Sequence, residues 1–92
     1  MSYAISFDLD TGQLQKLYTG SWQNAYSDIK KTLLNLGFDW QQENVYFGSN
    51  INAVQCVLAA QTLSQTYTWF KACVRDIRML RIEELNDLFP AL

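Results

Sequence analysis

The order of strand-like and helix-like patterns is the feature that most limits what this chain can fold into. The first pattern is strand-like, because residues 2–10, "SYAISFDLD", alternate strictly between apolar and small or polar side chains. One side of this strand is apolar and consists of Tyr3, Ile5, Phe7 and Leu9. The other side carries Asp8, so the segment predicts a strand that packs only one face against a core.

Two later segments have the spacing of amphipathic helices. In residues 22–37, "WQNAYSDIKKTLLNLG", apolar side chains recur every three or four positions, and Gly37 is placed to end the helix. Residues 51–65 have a broader apolar stripe, which we expect to face the core: Val54, Val57, Leu58, Ala59 and Leu63. The candidate N-cap residues are Ser21 for the first helix and Asn50 or Asn52 for the second.

Strand-like segments surround these helices. "FDW" and "VYF" predict two strands joined by a loop at residues 41–44, and residues 74–82 predict a final strand. Residues 10–21 have the glycines of a connecting loop, with a short extended arm at 14–18. Residues 85–89 have the spacing of a short final helix or turn before a proline.

The resulting order is strand, helix, strand, strand, helix, strand. It predicts an α+β, ferredoxin-like domain over residues 1–92, with one antiparallel sheet and two helices on one face. In the usual pairing we expect the first and last strands to be the two central neighbours of that sheet. Asp8 then lies close to the charged last strand.

Composition excludes several kinds of chemistry. The chain has no histidine, which removes the usual general base near neutral pH and the commonest transition-metal ligand. A net charge of −2 gives no global attraction to nucleic acid. Cys56 and Cys73 lack a zinc-site pattern and are expected to be reduced and buried. With no signal-peptide or membrane-spanning pattern, we expect a soluble, cytoplasmic protein without membrane contact.

Alternation in the last strand places two functional groups on the open face of the sheet. If Ile77 and Met79 face the helices, then Asp76 and Arg78 face the same side as Asp8. Leu80 and Ile82 also face that side, where a contiguous apolar patch is unfavourable in water; the remedy we predict is a homodimer that covers the patch.

The charged residues of this face suggest phosphodiester chemistry. Asp8 and Asp76 in a dimer groove can hold a hydrated Mg²⁺ ion, while Arg75 and Arg78 can bind phosphate oxygens. The same pattern also has a simpler interpretation, in which Asp76 pairs with a neighbouring arginine on an ordinary solvated strand.

Four segments together resemble the virulence-associated protein D family of small bacterial proteins. They are "YAISFDLD", "AYSDIKKTLLNLGFDW", "NVYF" and "WFKACVRDIRMLRIEELNDL", and they cover most of the chain. The resemblance implies a ferredoxin-like homodimer related to the small CRISPR-associated nucleases. It also implies an endoribonuclease toxin that cleaves RNA, opposed in several members by a small antitoxin protein.

The resemblance assigns site residues as well. The aspartate after the first strand's phenylalanine falls on Asp8, and the aspartate of the "VRDIR" block falls on Asp76, with Arg75 and Arg78 beside it. Many relatives enter the second hairpin strand through Gln-Gly-Ser, whereas this chain reads "QENVYF" and has Asn44 where that serine would be. An amide can orient phosphate or water but supplies no hydroxyl.

Two other functions are compatible with the same residues. The first is a non-catalytic dimeric interaction module, in which the open sheet face binds an antitoxin or another partner protein. The second is binding of RNA or DNA without cleavage, which the acidic net charge disfavours.

Overall fold

The computed structural model describes residues 2–92, which form an α+β structure with a short 3-10 turn near the C-terminus. In chain order the elements are β1 (Ser2–Leu9), α1 (Thr11–Leu17), α2 (Asn24–Asn35), β2 (Asp39–Gln42), β3 (Val45–Ser49), α3 (Ala53–Thr66), α4 (Phe70–Cys73), β4 (Val74–Ile82) and the 3-10 turn (Phe89–Ala91). The predicted order of the two longer helices and four strands is confirmed, and α1 and α4 are additions to it.

The four strands form one antiparallel sheet in the order β2-β3-β1-β4. This order, with the long helices inserted after β1 and β3, is compatible with a ferredoxin-like fold. The first and last strands are neighbours, as predicted, but they are not both central. β4 lies at the edge of the sheet because it pairs only with β1, so one of its sides lacks a strand partner among residues 2–92.

The core lies between one face of the sheet and the helices. Alternation in β1 is confirmed, since the side chains of Ile5, Phe7 and Leu9 are all buried there. Helix side chains spaced by three or four residues complete the core, among them Ile29 and Leu33 from α2 and Cys56, Ala59 and Leu63 from α3. Both cysteines are buried and free, as predicted, and burial raises the pKa of each thiol.

The end of α2 is confirmed, whereas its predicted N-cap is wrong. Gly37 has a φ of 96° and donates its N–H to the carbonyl of Leu34, while Phe38 donates to Leu33. This is the pattern in which a left-handed glycine closes a helix. At the other end, Ser21 hydrogen-bonds the side chain of Gln23 instead of capping the helix, which begins three residues later.

Helix α3 has the predicted cap but only part of the predicted buried stripe. Asn52 and Gln55 form a reciprocal capping box, each side chain hydrogen-bonding the other residue's backbone N–H. Ala59 and Leu63 are buried as expected. The prediction is wrong for three members of the stripe, which the helix turns outward: Val54, Val57 and Leu58 are 65%, 50% and 54% exposed.

The predicted loop with an extended arm after β1 is wrong, because residues 11–17 form helix α1. Asp10 caps this helix by accepting a hydrogen bond from the backbone N–H of Gln13, and Leu14 is fully buried. The capping carboxylate and one buried leucine outweigh the poor helix propensity of Gly12. The predicted final turn at residues 85–89 is wrong in its position, because residues 84–88 form no helical turn and the short 3-10 turn lies at Phe89–Ala91 and includes the proline.

The close approach of β3 to the loop before α3 gives a test of this packing. A Cβ at Gly48 would clash with the side chain of Ile51, lying 2.7 Å from its Cβ, and would meet Phe38 at 3.1 Å. We expect Gly48→Ala to lower the free energy of unfolding by about 1–3 kcal/mol, as overpacking does. Urea denaturation measures the loss.

A double variant distinguishes the clash from a general loss of strand stability. An Ile51→Ala background lacks Cγ1, the nearest obstructing atom, and keeps only the Cβ, so adding Gly48→Ala should cost less than it does in the native background. An equal cost in both backgrounds would contradict the described packing.

Candidate active site

The register of β1 against β4 brings the two predicted site aspartates together. Asp8 and Asp76 are direct cross-strand partners, and the neighbouring pair, Phe7 and Ile77, faces the helices. Side chains of opposed residues on one face have Cβ atoms about 4.5–5.5 Å apart. Asp8 and Asp76 are both exposed, so the structure confirms that two carboxylates share the open face of the sheet at one end of this strand pair.

A β-bulge next to this pair redirects Arg75. The register runs from Asp8 opposite Asp76 to Leu9 opposite Val74, which leaves Arg75 as an extra residue without a Cα partner. Strict alternation would have sent its side chain toward the helices. The bulge instead allows the guanidinium to reach Asp8, with Nη2 at 3.1 Å and Nε at 3.2 Å from the same carboxylate oxygen.

Arg78 binds the second carboxylate. Its Nε lies 3.1 Å and 3.0 Å from the two oxygens of Asp76, which stands two residues earlier on the same strand and face. Each aspartate therefore has its own arginine. Both pairs are exposed, and exposed ion pairs contribute only about 0–1 kcal/mol, so water, a cation or a phosphate can compete for these groups. The simpler interpretation predicted that Asp76 pairs with a neighbouring arginine, and this is correct. The other ion pair, between Arg75 and Asp8, joins β4 to β1.

Asn44 lies in the turn that leads into the neighbouring strand β3, at the same end of the sheet. Its backbone carbonyl accepts a hydrogen bond of 3.2 Å from the N–H of Phe7, which extends the pairing of β1 with β3 beyond Val45. The two-residue turn before β3 includes Glu43 in the left-handed region, with a φ of 44°. The residue predicted to help orient phosphate thus stands beside the strand end that carries Asp8, and it is half-buried.

Two further residues belong to this neighbourhood. Ser6 stands opposite Arg78 on one side and Val45 on the other, on the face of Asp8. The alternation of β1 indicates that position, although no motif indicates a role for its hydroxyl. Tyr26 belongs to α2 and is half-buried. Its pKa is raised by burial and, second, by the negative charge of Asp8, so the phenol lies within electrostatic reach of that carboxylate.

The donor groups of the site limit the metals that it could bind. Among residues 2–92 no group of three or more histidine, cysteine or acidic side chains is arranged to hold a metal ion. The site offers two carboxylates. This set matches Mg²⁺, which is commonly bound through one or two carboxylates together with waters and substrate phosphates.

Comparison with known proteins assigns the chain to a family. No family model matches the sequence. The chain is 52% identical over 92 residues to endoribonuclease VapD 2 of Riemerella anatipestifer, with 98% of both proteins covered. The chain belongs to the VapD family. It is also similar to a VapD homologue of Helicobacter pylori, with 50% identity covering 98% of this chain and 95% of that protein.

A more distant VapD supports the same assignment. The endoribonuclease VapD of Dichelobacter nodosus is 41% identical over 85 residues, which cover 92% of this chain and 90% of that protein. These matches confirm the family resemblance found in the sequence. The described residues of this VapD-family chain include no helix long and apolar enough to cross a bilayer.

The electrostatic coupling of Tyr26 to Asp8 can be tested without measuring activity. Removing the carboxylate charge by Asp8→Asn should lower the pKa of Tyr26 part of the way toward its ordinary value, since burial, the larger cause, remains. NMR titration of ¹³C-labelled tyrosine side chains measures the change, with Tyr26→Phe to assign the signal. Asp87→Asn, a charge change in the C-terminal tail, should leave it unmoved. An unchanged pKa in Asp8→Asn would contradict this coupling.

Proposed function

We propose that this chain is an endoribonuclease that hydrolyses RNA phosphodiester bonds at the Asp8 and Asp76 pair. The names of its relatives support RNA as the substrate class. The structural observation that carries the proposal is the cross-strand position of the two aspartates on an exposed face. Like charges directly opposite each other destabilise a sheet, so such a pair is better explained by function than by stability.

The two carboxylates provide the acid–base and metal-binding groups of the proposed site. In a chain without histidine, Asp8 and Asp76 are the groups placed to position a water molecule or to hold Mg²⁺. When bound, Mg²⁺ would neutralise charge on the phosphate and activate water. The carboxylates orient these species on a face that solvent and substrate can reach.

The two arginines recognise the phosphate in this proposal. The guanidinium groups of Arg75 and Arg78 already donate hydrogen bonds to the two carboxylates. A phosphodiester that enters the site can therefore replace the carboxylates as the hydrogen-bond acceptor of these exposed arginines. Charge that builds on the phosphate during cleavage then lies between two guanidinium groups. Asn44 is proposed to orient the phosphate or the attacking water through its amide.

Removal of one carboxylate charge tests the catalytic assignment. We expect Asp76→Asn to reduce RNA cleavage by at least about 100-fold, because an amide neither binds a metal ion well nor accepts a proton. The measurement is the single-turnover cleavage rate of labelled RNA with Mg²⁺ and again with EDTA. Glu83→Gln is the matched control, because Glu83 is also an exposed carboxylate paired with an arginine, Arg81. Full cleavage by Asp76→Asn would refute the assignment.

We also propose a homodimer that uses the open sheet face. Beside the site this face carries an apolar patch next to the start of the C-terminal tail, and the groove there is lined by Ala4, Gln41, Gln42, Val45, Phe47, Leu80, Ile82 and Leu85. Apolar side chains contiguous on one face favour burial against a partner. A symmetric partner on this face would bring two copies of the aspartates and arginines into one groove.

A single charge on this patch tests the dimer. Leu80→Glu should halve the mass measured by light scattering, since it would place a charge in an apolar contact. Leu80 and Leu34 are 45% and 43% exposed, and Leu34 lies on α2, on the opposite side of the sheet. Leu34→Glu is therefore a matched control that should keep the native mass. An unchanged mass in Leu80→Glu would exclude this face as the dimer contact.

The proposed cellular role is that of a cytoplasmic toxin restrained by a small antitoxin protein, in keeping with the family resemblance. The apolar open face also suits the alternative function, a non-catalytic interaction module that binds a protein partner there. The two functions differ in one measurable respect. Purified protein that retains its native mass but fails to cleave RNA with Mg²⁺ would favour the interaction module.

A further inference from the structure

Two short helices adjoin the site at the end of the sheet where β1 finishes and β4 begins. Helix α1 follows β1 almost directly, and α4 runs straight into β4. A backbone hydrogen bond of 2.7 Å from the N–H of Asp10 to the carbonyl of Cys73 joins the two junctions. The strands that carry Asp8 and Arg75 therefore continue into α1 and α4, which also pack against each other.

Aromatic rings hold α1 and α4 together. The rings of Tyr18, at the C-terminal end of α1, and Trp69, at the start of α4, lie edge to face with their centroids 5.4 Å apart. The ring of Tyr67 also packs on Trp69, at a centroid distance of 5.3 Å. Tyr18 donates a hydrogen bond of 2.6 Å to the carboxylate of Asp28. The rings are thus fixed in place, yet all three side chains are only half-buried, so part of each remains accessible to a ligand.

A lysine stands two residues away from each of the two helix-terminal rings. Lys16 precedes Tyr18 in the last turn of α1, and Lys71 follows Trp69 in α4. Both lysines are exposed. Neither takes part in a salt bridge within residues 2–92, so their ammonium groups are available to an anionic ligand. We define the α1–α4 surface by these four residues: Lys16, Tyr18, Trp69 and Lys71.

We propose that the α1–α4 surface binds the single-stranded RNA that flanks the scissile phosphate, an inference that rests on the proposed ribonuclease function. Cations that follow the backbone, combined with aromatic rings on which bases stack, are the general means of binding single strands. Lys71 lies four residues before Arg75, so their Cα atoms are less than about 15 Å apart. A strand with one phosphate at the Asp8 and Asp76 pair can therefore reach this surface with its next few nucleotides.

The distribution of charge favours this direction over the opposite one. From the aspartates, the open face of the sheet continues into the apolar patch around Leu80 and then to the C-terminal tail. The start of that tail is acidic and repels a polyanion, since it carries Glu83, Glu84 and Asp87. A chain with a net charge of −2 can attract RNA only through local groups. At the other end of the strands, Lys16 and Lys71 supply such groups.

Removal of one lysine charge tests the phosphate contact. The background is Asp76→Asn, in which slow cleavage leaves the RNA intact. There we expect Lys71→Gln to raise the Kd for a labelled single-stranded RNA of about 12 nucleotides by about 3- to 10-fold. It should also lower the slope of log Kd against log salt concentration by about 0.7, the contribution of one phosphate contact. Fluorescence anisotropy at several salt concentrations measures both quantities.

Two further lysine variants complete this test. Lys16→Gln should lower the salt slope by the same amount as Lys71→Gln, because it removes the second cation of the same surface. Lys30→Gln is the matched control, because Lys30 is also an exposed lysine but lies over the ring of Trp40, on the β2 side of α2. The control should change neither the Kd nor the salt slope. Equal binding by all three variants and the background protein would overturn the proposal.

Substitutions of Trp69 test the stacking of a base. Trp69→Leu should raise the Kd at least about 5-fold, whereas Trp69→Phe retains a ring and should restore most of the affinity. Because Trp69 also packs against the core, thermal unfolding is used to check that both variants fold. The same Kd for the folded Leu and Phe variants would exclude stacking at this position.

Substrate length separates this surface from the chemistry at the aspartates. On a dinucleotide, which occupies only the Asp8 and Asp76 site, Lys71→Gln should have the native kcat/KM. On the longer RNA its kcat/KM should fall by the same 3- to 10-fold as its affinity. An equal loss on both substrates would overturn the proposal and assign Lys71 to the site itself. If the native chain binds RNA but does not cleave it, the proposed chemistry fails, while the binding comparison with Lys30→Gln still decides the role of the α1–α4 surface.

Discussion

The antiparallel pairing of β1 with β4 is the constraint on which the site depends. These strands come from opposite ends of the chain, and their register sets Asp8 against Asp76 while Phe7 and Ile77 turn inward. A register slip of one residue would turn all the core side chains of a strand to the open face of the sheet. Burial of the apolar side chains therefore also fixes the position of the polar side chains on the open face. The energy that holds the two carboxylates together therefore comes from hydrophobic packing on the other side of the sheet.

The same arrangement brings an electrostatic conflict, and the arginines moderate it. Two opposed carboxylates repel each other, and each is compensated by a guanidinium that solvent can reach. Because both ion pairs are exposed, a phosphate can readily replace the carboxylates as the partner of the arginines. A site that must release its cations to a phosphate benefits from exposed pairs, whereas buried pairs would hold the arginines in place. The absence of histidine leaves the carboxylates as the main acid–base groups of this face.

Structural features that follow from sequence periodicity could be predicted, whereas features that depend on tertiary contacts could not. Alternation placed Asp8, Asp76 and Arg78 on one face, and the order of patterns gave the neighbouring strands. The bulge that redirects Arg75 depends on how β4 meets the end of β1, so no local pattern indicates it. Helix α1 was missed because one capping carboxylate and one buried leucine stabilise a segment of weak propensity. The apolar residues of α3 matched a core pattern, and only the packed structure distinguishes side chains that face the core from those that face outward.

The central claim is that the two aspartates act as one unit, and a double-mutant cycle on RNA cleavage tests it most directly. Single-turnover rates of the native chain, Asp8→Asn, Asp76→Asn and the double variant give the coupling between the two positions. If the pair holds one metal ion or one water molecule, either single variant already destroys the unit, and the double variant should be about as slow as the slower single one. Losses that multiply in the double variant would contradict the account, because the two aspartates would then contribute independently.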